Sequence, residues 1–254
     1  MAGKAWHGAD RSKYVWFPII DYDKCTGCGL CLLTCGSDVF RWDPEGGLPV
    51  VANPGNCVLG CTTCARLCPE DAITFPDDPK RFIRSVIIKE KVFPTVREEL
   101  KERLSKYPDH RVSAGKVVTL GPSPEFSKWH GIDRRAINWG PVIDEDKCVG
   151  CGMCVVQCSE RRNVFGFDEK GRKAVVLAPQ NCMVGCNNCQ IACLWDAIKF
   201  PDPSELKELA RKLVDSGRAR EELEVRLKQN PNLLIRLPPA KRSRPPEQLI
   251  SSQP

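Results

Sequence analysis

The chain has 254 residues, 42% of them hydrophobic, a formal charge of +6 and 16 cysteines. That length accommodates one large domain or two small ones with a packed core, and no stretch approaches the ~20 apolar residues of a membrane helix, so direct membrane insertion is not expected. The N-terminal MAGKAWHGADRSK has no apolar core of signal-peptide length, which predicts a cytoplasmic, reducing location where clustered thiols serve metals rather than disulfides.

In chain order, WHGADR at 6–11 precedes PIID at 18–21, a short run expected to form a strand. VFRW at 39–42 and LPVV at 48–51 flank DPEGG, whose composition favours a turn and predicts a hairpin. AITF at 72–75 is a further strand, expected to pair with PIID and close the module. REELKERLSKYPD at 97–109 follows, with Thr95 and Glu98 spaced for a capping box at the start of its helix. The whole arrangement then recurs. WHGIDR at 129–134 repeats WHGADR at an offset of 123, kept through Trp16/Trp139, Pro18/Pro141, Asp21/Asp144 and the two DKC triplets. SERRN at 159–163 replaces GSD at 36–38, and the match resumes at an offset of 125 through Asn56-Cys57/Asn181-Cys182, Gly60/Gly185 and AITFPD/AIKFPD. ELKELARKLVD after Ser204 has helical periodicity, and REELEVRLKQNPN at 220–232 repeats the earlier helix, again offset by 123. The chain is a tandem duplication. The expected organisation is a first module at 1–77, a helical inter-module segment at 78–124, a second module at 125–202, C-terminal helices at 203–235, and a basic proline-rich tail at 236–254, poorly ordered alone.

The cysteines fall into four groups. Cys25, Cys28, Cys31, Cys35 and Cys148, Cys151, Cys154, Cys158 read C-x2-C-x2-C-x3-C; Cys57, Cys61, Cys64, Cys68 and Cys182, Cys186, Cys189, Cys193 have one more residue in the first gap. Gly60 and Gly185 are expected to supply that extra turn. Three cysteines at two-residue gaps can wrap three corners of an iron–sulfur cube, with small intervening residues letting backbone amides approach the sulfurs. Structural zinc also uses C-x2-C pairs, but a longer loop normally separates them, so the crowding favours a cube. Gly27-x-Gly29 begins like a dinucleotide fingerprint, yet the third glycine position is Leu32 and no strand–glycine–helix context follows. With every cysteine a candidate ligand, no nucleophilic catalytic set can be assembled.

The pattern resembles the two-cluster bacterial-type ferredoxins, and more closely ferredoxin-like proteins with WHG before the first strand, then FPxID-x-DKC, then NC-x-x-GC-x-x-C. The resemblance implies an α+β fold of two tandem ferredoxin-like modules, each a pseudo-twofold βαββαβ unit with two [4Fe-4S] clusters, and electron transfer without a substrate site. In that family's pattern the last cysteine of a group ligates the other cluster. Cys68 would then join Cys25, Cys28 and Cys31; Cys35 would join Cys57, Cys61 and Cys64. Likewise Cys193 would join Cys148, Cys151 and Cys154, and Cys158 would join Cys182, Cys186 and Cys189, giving four [4Fe-4S] clusters. Each cube with its thiolates carries roughly −2, so the loaded chain would sit at about −2, and the basic sequence is weak ground for nucleic-acid binding. The proline usual after the last cysteine is Pro69 in the first module but Leu194 in the second, and Arg161 and Arg162 follow Cys158 closely. The cluster held through Cys158 is therefore expected at a higher potential than its counterpart at Cys35.

The segments 78–128 and 203–254 offer docking material that a minimal ferredoxin lacks. The expected role is the iron–sulfur subunit of a larger oxidoreductase, with redox proteins as partners, above all a catalytic subunit. The alternatives are a freely diffusing polyferredoxin with several partners and a non-redox structural metal protein. His7 and His130 occupy equivalent places and are expected to make structural hydrogen bonds, zinc ligation being the alternative. Trp6/Trp129 and Trp16/Trp139 are expected to cover the clusters as buried aromatics, and the Arg-, Glu- and Leu-rich helices to be solvated amphipathic faces.

Overall fold

The computed structural model of the protein describes residues 5–113 and 119–236; all but the first residue of the basic tail lies outside the described residues. Strands and α-helices follow in chain order: β1 (Ala5–Trp6), β2 (Ala9–Asp10), β3 (Ile19–Ile20), α1 (Leu30–Thr34), β4 (Phe40–Asp43), β5 (Leu48–Val51), α2 (Thr63–Arg66) and β6 (Ile73–Thr74). Then come α3 (Pro79–Glu90), α4 (Phe93–Lys106), β7 (Lys128–Trp129), β8 (Ile132–Asp133), β9 (Val142–Ile143), α5 (Met153–Gln157), β10 (Phe165–Asp168), β11 (Lys173–Val176), α6 (Asn188–Ile191), β12 (Ile198–Lys199), α7 (Ser204–Asp215) and α8 (Arg218–Gln229). They divide into two compact units: residues 12–76 with 203–236, and residues 5–11 with 77–113 and 119–202. The helices that follow each cysteine module in sequence thus belong to the unit of the other module.

In the first unit β3 pairs antiparallel with β6, Ile20 opposite Ile73, which closes the module as the two apolar runs predict. The β4–β5 hairpin pairs Phe40 with Val51 and Asp43 with Leu48. Its turn forms as DPEGG predicts: the Asp43 carboxylate accepts from the Glu45 N–H at 3.2 Å, and Gly47 takes the left-handed conformation. Helix α8 buries Ala219 and Leu223 and packs on α1, while α7 packs on α8. Lys207 pairs with Asp71, the Arg211 guanidinium donates to the Pro69 carbonyl at 3.0 Å, and the Ile235 N–H donates to the Trp42 carbonyl at 2.9 Å.

The second unit repeats these relationships with different helices. β9 pairs with β12 and β10 with β11. Helix α4 buries Val96, Leu100 and Leu104, spaced to one face, and packs on α5, while α3 packs on α6. Lys80 pairs with Asp196, and the Val112 N–H donates to the Phe167 carbonyl at 3.1 Å. The expected capping box is corrected here. α4 begins at Phe93, with Pro94 in its first turn and Val92 at the cap, so Thr95 is already helical; proline needs no N–H partner at a helix start and fixes the boundary upstream. The two WHG motifs form two-residue turns joining β1 to β2 and β7 to β8. Both histidines and both glycines have positive φ, as such hairpins require.

Candidate metal centres

The first cysteine loop is wound by its glycines. Gly27 (φ +68°) and Gly29 (φ +78°) are left-handed, and a β-carbon on Gly27 would run into the Gly47 carbonyl oxygen at the hairpin tip. Gly29 caps α1, which carries Cys31 in its body and ends at Cys35. A hollow at the loop is lined by Cys25, Cys28, Cys31 and, from beyond α2, Cys68. Burial pushes the Cys31 thiol well above its ordinary value, and the neighbouring Cys28, Cys25 and Cys68 thiols add to that. Burial also raises Cys25 and Cys28, opposed by the backbone N–H groups of Gly27 and Leu30 respectively. The Ala72 N–H donates to the Cys68 sulfur at 3.4 Å. Cys35 faces elsewhere. Burial raises its thiol, the Val39 and Ser37 N–H groups lower it, and its thiol neighbour is Cys61. Cys64, raised well up by burial, has Cys61, Cys31, Cys57 and Cys35 around it.

The second unit repeats this. A hollow is lined by Cys148, Cys151, Cys154 and Cys193, with Cys189 also at its wall. Burial pushes Cys154 well up, with Cys151, Cys148 and Cys193 as neighbours, and the Ala197 N–H donates to the Cys193 sulfur at 3.4 Å. Cys182, raised well up by burial, neighbours Cys186 and Cys158. Cys189, raised likewise, neighbours Cys182, Cys186, Cys158 and Cys154. Gly60 and Gly185 both have positive φ, consistent with the extra turn expected of them. Among the described residues no three His, Cys, Asp or Glu side chains converge closely enough to hold a single metal ion. In the two hollows the thiols line a space instead, and soft sulfur donors with backbone N–H groups turned to them fit a multinuclear iron–sulfur cluster.

The surroundings of the last thiol in each first group distinguish the two units. Cys158 is raised by burial to about 11, while Arg162 and Arg103 pull it down. Arg103, on α4, donates to the Cys158 carbonyl at 3.0 Å and the Val156 carbonyl at 3.3 Å. Arg134 is buried and donates to the carbonyls of Ile137, Trp139 and Cys182. Arg162 reaches the Asn181 carbonyl at 2.6 Å, whereas Arg161 turns outward to Glu125. The expectation of two arginines beside Cys158 is therefore corrected: Arg162 of the SERRN pair serves and Arg103 joins it, while Arg134 lies against Cys182. Sequence reasoning passed over these two, although Arg134 ends the repeated WHG motif and Arg103 aligns with Arg226 in the repeated REEL helix. Of the tryptophans expected to be buried covers, Trp129 is corrected to half-buried and Trp6 is buried, while Trp16 and Trp139 lie against the cysteine loops. Trp16 and Trp139 are buried and donate through Nε1 to the Cys61 and Cys186 carbonyls, each at 3.1 Å. His7 is hydrogen-bonded to Glu99 through Nδ1 at 2.5 Å.

A 4Fe-4S dicluster domain matches residues 24–83 and again 147–205. Ferredoxin-3 of Nostoc sp. is 41% identical over 71 residues, which cover 22% of this chain and 72% of that protein. The chain belongs to the 4Fe-4S dicluster ferredoxin family. An uncharacterized ferredoxin of Methanocaldococcus jannaschii is 38% identical over 78 residues, 30% of this chain, and the match spans 52% of that relative's length. Indolepyruvate oxidoreductase subunit IorA of Thermococcus kodakarensis is 46% identical over 67 residues, 26% of this chain and 10% of the subunit. This tandem ferredoxin is an iron–sulfur protein of electron transport, and no helix among its described residues is long and apolar enough to cross a membrane. Bound clusters supply one-electron exchange. The chain's own residues direct N–H groups at the Cys68 and Cys193 sulfurs and place guanidinium charge near Cys158 and Cys182.

Proposed function

We propose that the chain holds four [4Fe-4S] clusters, two per cysteine module, and relays electrons as the iron–sulfur subunit of a cytoplasmic oxidoreductase complex, with no substrate site of its own. The ligand sets are Cys25, Cys28, Cys31, Cys68; Cys35, Cys57, Cys61, Cys64; Cys148, Cys151, Cys154, Cys193; and Cys158, Cys182, Cys186, Cys189. The observation that supports this reading is the placing of the last thiol of each second group: Cys68 lines the hollow of Cys25, Cys28 and Cys31, and Cys193 that of Cys148, Cys151 and Cys154, while Cys35 acts on Cys64 and Cys158 on Cys189. Cys31 beside Cys64 and Cys154 beside Cys189 bring one ligand of each cluster next to its neighbour, a short buried step for an electron.

The subunit role draws support from IorA, whose name makes it an oxidoreductase subunit, and from the helices added outside the cysteine modules. The diffusing-carrier reading draws on the likeness to most of the length of Ferredoxin-3. Anaerobic purification of the native protein from its source tests both. A stoichiometric catalytic subunit bound through size exclusion supports the complex; recovery of the loaded chain alone, able to reduce several acceptors, supports the carrier. A chain that binds zinc without sulfide overturns the proposal.

A further inference from the structure

Two arginines on helices outside the cysteine modules occupy the same place in the two units. Arg226, on α8, donates through Nη1 to the Leu33 carbonyl at 2.8 Å. Arg103, on α4, reaches the carbonyls of Val156 and Cys158. Leu33 and Val156 are themselves repeat equivalents, two residues before Cys35 and Cys158. The carbonyls of a helix's last turn have no partner within the helix, and a cation there is favoured by the helix dipole. Each guanidinium therefore closes the C-terminal end of the short helix whose capping residue is the last thiol of its group. Each is held there by the leucine one turn earlier. Leu223 packs on Gly29, and Leu100 packs on Gly152 so closely that a β-carbon on the glycine would come within 2.7 Å. The Arg103 side chain is 12% exposed, with the partly exposed Glu160 carboxylate 3.9 Å from its Nε, and a guanidinium keeps its charge at any working pH.

We propose that Arg226 and Arg103 are positioning residues for electron transfer, each orienting the thiol of Cys35 or Cys158 and raising the reduction potential of the cluster that thiol completes. The inference rests on the crossed ligand sets proposed above. A reduced cluster carries one more negative charge than an oxidised one, so a fixed positive charge beside it favours the reduced form. The segment following the first module then sets a potential in the second, and the segment following the second sets one in the first. Electron delivery in either unit depends on the complete chain.

The test uses the anaerobic full-length holoprotein and its Arg226→Gln, Arg226→Lys, Arg103→Gln and Arg103→Lys variants, with iron and sulfide counted before a redox titration followed by electron paramagnetic resonance. Each Gln variant is expected to keep its clusters and to shift one of them to more negative potential, while the Lys variant shifts it less. The cluster moved by Arg226→Gln should be the one whose signal Cys35→Ser alters, and that moved by Arg103→Gln the one altered by Cys158→Ser. Unchanged potentials in both Gln variants, or cluster loss that Lys does not prevent, would overturn the proposal. A wild-type chain without four-iron clusters, or one in which Cys35→Ser disturbs the same signal as Cys28→Ser, fails the ligand assignment instead, and the two failures are distinguishable.

Discussion

Leu223 of α8 stands against Gly29 so closely that a β-carbon on the glycine would come within 2.6 Å of its Cδ2. Gly29 is also left-handed at φ +78°. Gly29→Ala therefore meets two penalties, backbone strain and overpacking, together about 2–4 kcal/mol. The expected outcome is a lower unfolding midpoint in anaerobic thermal melts and faster iron release. Adding Leu223→Ala should recover less than the whole loss, since the backbone strain remains. Full recovery in the double variant would show that the conformation at Gly29 carries no cost.

The proposed ligand exchange within a module makes a sharp prediction for Cys35 and Cys68. Cys35→Ala should disturb the cluster that Cys61→Ala disturbs, and Cys68→Ala the one that Cys28→Ala disturbs. The wild-type protein should contain about sixteen iron and sixteen sulfide per chain. Variant spectra of the full-length anaerobic protein check the pairing. If Cys35→Ala gave the Cys28→Ala spectrum, the ligands would be local and the exchange wrong.

The charge around Cys158 orders the potentials. Arg162 and Arg103 act on Cys158, and Arg134 and Arg162 on Cys182; at Cys35 the arginine that acts is Arg226. The cluster completed by Cys158 is expected at the higher potential, because positive charge favours the reduced state. Arg162→Gln should lower it. Arg161→Gln should leave it nearly unchanged, because Arg161 is paired with Glu125 on the surface and exposed charge is screened. Redox titration of the two variants distinguishes the neighbours, and equal shifts would contradict the placement of Arg161.

His110 gives the second unit an acid-sensitive element. It is 1% exposed and stacked on Tyr107 at 5.2 Å; burial lowers its pKa, with Asp109 opposing. The folded imidazole resists a proton that the unfolded chain accepts near its ordinary value of about 6.5. Stability is therefore fully present above that pH and falls as acid drives the protein towards the lower folded value. His110→Gln should flatten the dependence of the unfolding midpoint on pH below about 6.5 in the anaerobic protein. The readout is the slope, which an overall loss of stability in the variant leaves interpretable. A wild-type slope retained in His110→Gln would assign the acid sensitivity to other groups.

Much of this protein was legible in its residues because its determinants are local. The spacing from Cys25 to Cys35, the offset duplication, the Asp43 turn and the short strands at Ile19–Ile20 and Ile73–Thr74 each follow from a few neighbouring residues. So did the buried Trp16 and Trp139, through their place in the repeat. The Thr95 cap was misread because a plausible Thr–Glu spacing competed with Pro94, and the boundary went to the residue that fixes φ without needing a donor.

What sequence could not decide is which module each added helix covers. The apolar face of α4, Val96, Leu100 and Leu104, and that of α8, Ala219 and Leu223, are repeats of one pattern, and apolar burial is non-directional. Either helix therefore suits either module by composition. Tertiary packing placed α4 with α5 and α8 with α1, and that choice brought Arg103 to Cys158 and Arg226 to Leu33. Those arginines sit on a partly polar face that reads from sequence as solvated surface, and only the packed neighbour turns them toward a cysteine.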